Sequence, residues 1–172
     1  MGSVMAAMGV GFTVQVAHFV GANDFAKARA VFRHAIVFGL SFGLLMCAVG
    51  VAIHRPLPYW LGGGADIAGK ASAYFLIYAM TLPAVLLYHL MAGMQKSSGD
   101  MRTPSVLSVA LCALDVAFNY FYIYALHLGV TGAALGTMCA YVVTVAPMSY
   151  MALRRNKILA LRMDQELSLI HI

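Results

Sequence analysis

The chain reads as an all-α, polytopic membrane bundle of about five transmembrane helices, and three observations predict it. Hydrophobic residues fill 62% of the 172 positions, charged residues only 10%, and the mean hydropathy is +0.84. Soluble globular chains are far more polar, and eleven basic with six acidic residues are too few to coat a water-facing surface. The apolar residues also fall into runs of about 20, the length that crosses a hydrocarbon core. Turn and cap residues separate those runs.

Taken in order, the runs place spans near 3–20, 35–53, 71–93, 105–126 and 131–153. Gly21-Ala22-Asn23-Asp24 ends the first. Arg55-Pro56-Leu57-Pro58 with Gly62-Gly63-Gly64 ends the second, and Ser97-Ser98-Gly99-Asp100 ends the third. The stretch from His127 to Gly132 divides the last two. Pro83 and Pro147 fall inside spans, where each removes a backbone donor and is expected to kink its helix. Gly39, Gly43 and Gly50, with Ala48 and Ala52, are small enough to let helices approach closely.

Assigning the loops alternately to the two membrane sides puts Lys27, Arg29, Arg33, Lys96, Arg102, Arg154, Arg155, Lys157 and Arg162 on one side, against Arg55 and Lys70 on the other. The positive-inside rule then makes segments 21–34, 94–104 and 154–166 cytoplasmic in a multi-pass protein of the cell membrane, with the first span entering from outside. An odd number of spans starting outside implies a further helix upstream. Basic residues confined to short patches between apolar runs are orienting charges, so nucleic acid is set aside as a partner.

Cys47, Cys112 and Cys139 stand singly in apolar runs, without CxxC or a neighbouring His, so neither disulfides nor a metal site is expected. The first run has no basic n-region or cleavage site and is not a signal peptide. Ser97-Ser98-Gly99-Asp100 follows no strand and precedes no GxxxxGK, so it is not a phosphate loop. Within the spans no Ser/His or paired-carboxylate arrangement supports catalysis, and the chain reads as a non-enzyme with no organic cofactor.

Asp115 is a lone carboxylate in an apolar span, where an aspartate costs roughly 2.5–3.5 kcal/mol to insert at the bilayer centre. Helical periodicity gathers Ser108, Cys112, Asp115, Asn119 and Tyr122 on one face, leaving Val109, Val116 and Ile123 for lipid or neighbours. Burial raises the pKa of such a carboxyl and a nearby cation lowers it, so the group can take up and release a proton or a sodium ion. It can equally serve as a hydrogen bond between helices. Two further stripes, Tyr74, Tyr78, Thr81 and Tyr88 in the third span and Thr137, Tyr141, Thr144 and Met148 in the fifth, would suit flat cationic substrates through cation–π and thioether contacts, or ordinary helix packing. Gln15 and His18 are open to the same two readings. His89 is a lone histidine near the end of the third span, and His54 and His127 are placed at the opposite membrane surface.

The loop text resembles a known family. Val16-Ala17-His18-Phe19-Val20-Gly21-Ala22-Asn23-Asp24 with Ala26-Lys27-Ala28-Arg29, then Ala73-Tyr74-Phe75, Gly93 through Pro104, and Gly129 through Thr137 occur in the order and at the intervals of the multidrug and toxic compound extrusion family. The resemblance covers residues 4–166 and implies helices two to six of a six-helix amino-terminal lobe, with a second lobe of the same protein completing a central cavity. It implies efflux of cationic or amphipathic drugs in exchange for protons or sodium ions. It also implies that Asp115, Asn119 and Thr137 form the ion-coupling cluster, with the family's Asn and Asp in swapped order. Gln15, Tyr78, Tyr141 and Met148 are the candidate cavity residues. The alternative is a flippase for lipid-linked oligosaccharides from the wider superfamily, a reading that several Arg inside the spans would favour; none is present. Residues 1–166 are thus read as a partial lobe. Residues 167–172, Leu-Ser-Leu-Ile-His-Ile, are what a sequencing-adapter end encodes and read as foreign, a genuine apolar tail being the other reading.

Overall fold

The computed structural model describes residues 2–60, 62 and 64–155, and every regular element among them is helical. The expected foreign tail and most of the third basic segment lie outside the described residues. Helix α1 covers Gly2–Gly21, α2 Phe25–Ile53, α3 Leu57–Trp60, α4 Ala65–Ser97, α5 Arg102–Tyr120 and α6 Gly129–Tyr150. Both α5 and α6 continue for one wider π-helical turn, Phe121–Ala125 and Met151–Arg155. Each of the five expected spans is therefore a helix. Four of these, Phe25–Ile53, Ile67–Ser97, Arg102–Ala125 and Gly129–Arg154, are long and apolar enough to cross a membrane, and α1 is 20 residues long.

The helices overrun the expected spans because hydropathy marks only the part meant for hydrocarbon, whereas backbone hydrogen bonding continues until a cap stops it. At the start of α2, Asp24 accepts the Lys27 backbone N–H at 3.1 Å and pairs with its ammonium at 2.9 Å, so the helix begins ten residues before the apolar run. Asn23 supplies the preceding positive φ of 57°, a conformation Asn tolerates. The hydrogen bond from the Lys27 side chain, then the one from its backbone, holds the Asp24 carboxyl below the ordinary aspartate value. The contribution of this cap to stability is therefore present at neutral pH and is lost as pH falls through that lowered value.

Helix α4 is the hub, packing against α1, α2 and α6, while α5 joins the bundle chiefly through α6. The main core holds Val16, Phe32, Tyr88, Met91, Met94 and Met148, drawn from α1, α2, α4 and α6. Glycines set the α2–α4 distance: a Cβ on Gly43 would lie 3.1 Å from the Pro83 Cα, and one on Gly50 only 2.6 Å from the Ala79 Cβ. Gly39, Gly43 and Gly50 are buried as the small-residue reading required, whereas Ala48 and Ala52 are exposed, since they lie on the helix face turned away from α4. Gly50→Ala is expected to lower stability by about 2 kcal/mol through overpacking. Ala79→Gly should restore it, as read from thermal unfolding of the pure protein in detergent micelles.

Candidate functional site

The chain enters α5 through a turn that sets the rotation of the helix. Gly99 adopts φ 86° and Asp100 accepts the Thr103 backbone N–H at 3.1 Å, capping the first turn. That rotation leaves Val109 and Val116 pointing outward, 72% and 69% exposed, while Ser108, Asp115, Asn119 and Tyr122 are partly buried. Cys112 is exposed, so the expected polar face of α5 reaches the bundle surface at one point.

Two glycines of α6 bring it against that face. A Cβ on Gly132 would lie 2.9 Å from the Tyr122 carbonyl oxygen, and one on Gly136 would run into the Asn119 amide oxygen and approach the Asn119 backbone nitrogen to 2.9 Å. Asn119 is thus pressed onto the residue immediately before Thr137, and Asp115 lies one turn away on the same helix. The Tyr122 hydroxyl meets the Cys139 sulfur at 3.4 Å, closing the far end of the contact. Asp115 Oδ1 and Asn119 Oδ1 are both buried without a hydrogen-bond partner among the described residues. An unsatisfied buried acceptor costs about 1–3 kcal/mol, and here two of them stand one turn apart on α5.

The second wall is α4. Tyr88 OH and Ser108 Oγ lie 3.0 Å apart, and otherwise α4 and α5 scarcely touch, because α6 stands between them. Tyr141 of α6 lies at this junction, packed against the main core. Its ring is edge-on to Tyr88 at 5.7 Å and tilted against His89 at 6.4 Å, and it lies within electrostatic range of Tyr78, Cys112 and Asp115. The structure therefore sets Tyr78 and Asp115 within electrostatic range of Tyr141, and Asn119 one turn along α5 from Asp115 against Gly136, with Thr137 the next residue of α6.

Gln15 and Met148 stand apart from this group. Gln15 is exposed on α1, on a different face from the one that packs on α4, where the Ser97 hydroxyl donates to the Thr13 carbonyl at 2.8 Å. Met148 is fully buried in the main core, its carbonyl accepting the Gln95 side-chain amide at 3.1 Å and its sulfur lying 3.5 Å from the same nitrogen. Gln95 was not singled out from the sequence, yet it is completely buried and its Oε1 is a third unpartnered acceptor. The signal was available: Gln95 follows Tyr74, Thr81 and Tyr88 at steps of seven, the spacing of one helical stripe.

The MatE family model matches residues 1–121, well over half of the chain. The chain belongs to the MatE family. A relative, multidrug export protein MepA of Staphylococcus saprophyticus, is 24% identical over 156 residues, covering 91% of this MatE chain and 35% of the relative. Solved structures of an outward-facing and an inward-facing multidrug resistance MATE family transporter each superpose with TM-score 0.85 at 22% identity. They cover 91% of this chain and 35% and 36% of theirs. The MatE chain thus spans about a third of the length of the curated relatives it matches, and its fold fits both conformations equally well.

Proposed function

We propose that this MatE chain is part of a secondary active carrier that expels cationic or amphipathic compounds across the cell membrane in exchange for protons or sodium ions. The observation that carries the reading is the pair of buried, unpartnered oxygens on Asp115 and Asn119, set on an apolar helix against α6. With the site empty, the Asp115 carboxylate is a charge in a low-dielectric surrounding, and it is relieved by a proton or by a sodium ion that the Asn119 oxygen helps to ligate. Thr137, next to the Gly136 contact, supplies a further hydroxyl oxygen from α6. Uptake of the ion neutralises Asp115 and weakens its attraction for a cationic compound resting near Tyr78 and Tyr141; release restores that attraction. The fit of this lobe to both outward-facing and inward-facing structures supports alternation in which the lobe moves as a body against a second lobe. The basic segments 21–34, 94–104 and 154–166 face the cytoplasm in this arrangement.

The test uses the full-length protein in proteoliposomes. A tenfold proton or sodium gradient is worth about 1.4 kcal/mol, and one-for-one exchange then concentrates tetraphenylphosphonium about tenfold. Accumulation under one of the two gradients is the expected result. Movement that ignores both gradients overturns the proposal.

A further inference from the structure

The ends of α4 and α6 that carry Lys96 and Arg154 are built differently. On α4 the last turn is pinned. The Gln95 carbonyl accepts the Ser98 hydroxyl at 2.8 Å and the Asp100 backbone N–H at 3.0 Å, and the Ser97 hydroxyl ties the same turn to the Thr13 carbonyl of α1. On α6 the backbone ladder weakens toward its end. The Thr144 hydroxyl donates back to the Ala140 and Tyr141 carbonyls, a bond that bends helices. Pro147 has no N–H to offer the Val143 carbonyl. The Met151 N–H is divided between the Met148 and Pro147 carbonyls, and Met151–Arg155 then widens into the π-helical turn. Proline and π-helical turns are where helices bend.

Gln95 bridges this weakened stretch. It is completely buried, and its Nε2 donates to the Met148 carbonyl at 3.1 Å, one residue past Pro147. A carbonyl only accepts, so the amide nitrogen faces α6 and Oε1 is left over. Oε1 finds no donor among the described residues. A buried acceptor without a donor is a free-energy cost that opening removes. Met148, Ala152 and in part Leu153 meet the main core beyond Pro147, so apolar packing closes this end and the Gln95 bond fixes its register. We propose that Gln95 is a releasable latch over a hinge at Pro147, through which the end of α6 parts from α4 during the transport cycle and water reaches the Gln95 oxygen. This rests on the reading of the chain as part of a carrier, which puts this end at the cytoplasm. The motion is confined to the turns beyond Pro147, so it adds to movement of the lobe as a body. Thr137 and Tyr141 lie on the other side of the break and stay in place. Gln95 acts through α6, as a positioning residue.

Hydrogen exchange of the full-length protein in lipid nanodiscs, followed by mass spectrometry, reads the opening of residues 148–155 directly. Gln95→Leu removes the bond and the orphan oxygen together, and the Met148 carbonyl keeps the Met151 N–H. The expected result is exchange about tenfold faster in this segment, the worth of a hydrogen bond at the upper end of the usual net range, while the thermal midpoint holds or rises. A residue that only packs the core moves both toward instability or moves neither. Pro147→Ala returns an N–H to the Val143 carbonyl, and in that background Gln95→Leu is expected to change exchange by less than about twofold. In proteoliposomes Pro147→Ala is expected to slow tetraphenylphosphonium turnover about tenfold with little change in KM. Unchanged exchange in Gln95→Leu, an equal acceleration with and without Pro147, or full turnover by Pro147→Ala overturns the proposal. Absence of gradient-driven transport by the unsubstituted protein overturns the carrier reading and the part of the hinge in it, while exchange still decides whether Gln95 latches a hinge at Pro147.

Discussion

Asp115→Asn in the full-length protein is expected to abolish gradient-driven accumulation of tetraphenylphosphonium, taking it from about tenfold to the equilibrium value, a loss of about 1.4 kcal/mol of coupling. The substitution preserves the size of the side chain and the buried acceptor oxygen that finds no partner among the described residues. It removes the one property asparagine lacks, a charge that a proton or a sodium ion can cancel. The fold should survive, because an uncharged amide is cheaper to bury in hydrocarbon than a carboxylate. Thermal stability in micelles therefore stays equal or rises while coupling disappears. Undiminished gradient-driven transport by Asp115→Asn would make Asp115 a helix-packing residue, and Asn119 and Thr137 would then have no ion to share.

Gly136→Ala is expected to be among the most damaging single substitutions in the α5–α6 pair, costing about 3 kcal/mol, the upper part of the usual overpacking range. Its methyl group meets the Asn119 amide group, which can swing away, and the Asn119 backbone nitrogen at 2.9 Å, which cannot move without the helix. The two helices must then separate, and Asp115 moves away from Tyr141 with them. Unfolding in micelles supplies the check. In an Asn119→Ala background the same substitution should cost less but not nothing, since only the side-chain part of the collision is relieved. An unchanged midpoint for Gly136→Ala alone would mean that the helices are not in contact at this level.

Much of the bundle was readable from residue types. Asp24, Gly99 and Asp100 announced their turns, the apolar runs announced their helices, and Gly43 and Gly50 announced a close helix approach whose partner, α4, only the structure named. Where helix lengths and Ala48 and Ala52 departed from expectation, the causes are local: capping hydrogen bonds extend helices beyond the bilayer, and a small residue marks an interface only if its face turns inward. The polar face of α5 was legible because 3.6-residue periodicity suffices to align Ser108, Asp115 and Asn119. The separation of Met148 from Tyr141 was not. Both lie on one stripe of α6, and only the partner opposite each, Gln95 for Met148 and Tyr88 with His89 for Tyr141, distinguishes the fully buried residue from the one partly buried against the same core.

By itself the sequence determined that this is a membrane bundle, which runs cross the bilayer and which carboxylate lies within it, since hydrophobic length, charge placement and helical periodicity are properties of one segment at a time. The tertiary structure alone decided that the Asp115 and Asn119 oxygens find no donor among the described residues, that α6 stands between α4 and α5, and that Tyr141 meets the rings of Tyr88 and His89. Those are relations between segments distant in the chain, produced by where glycines allow helices to meet, and no periodicity within a single helix encodes them.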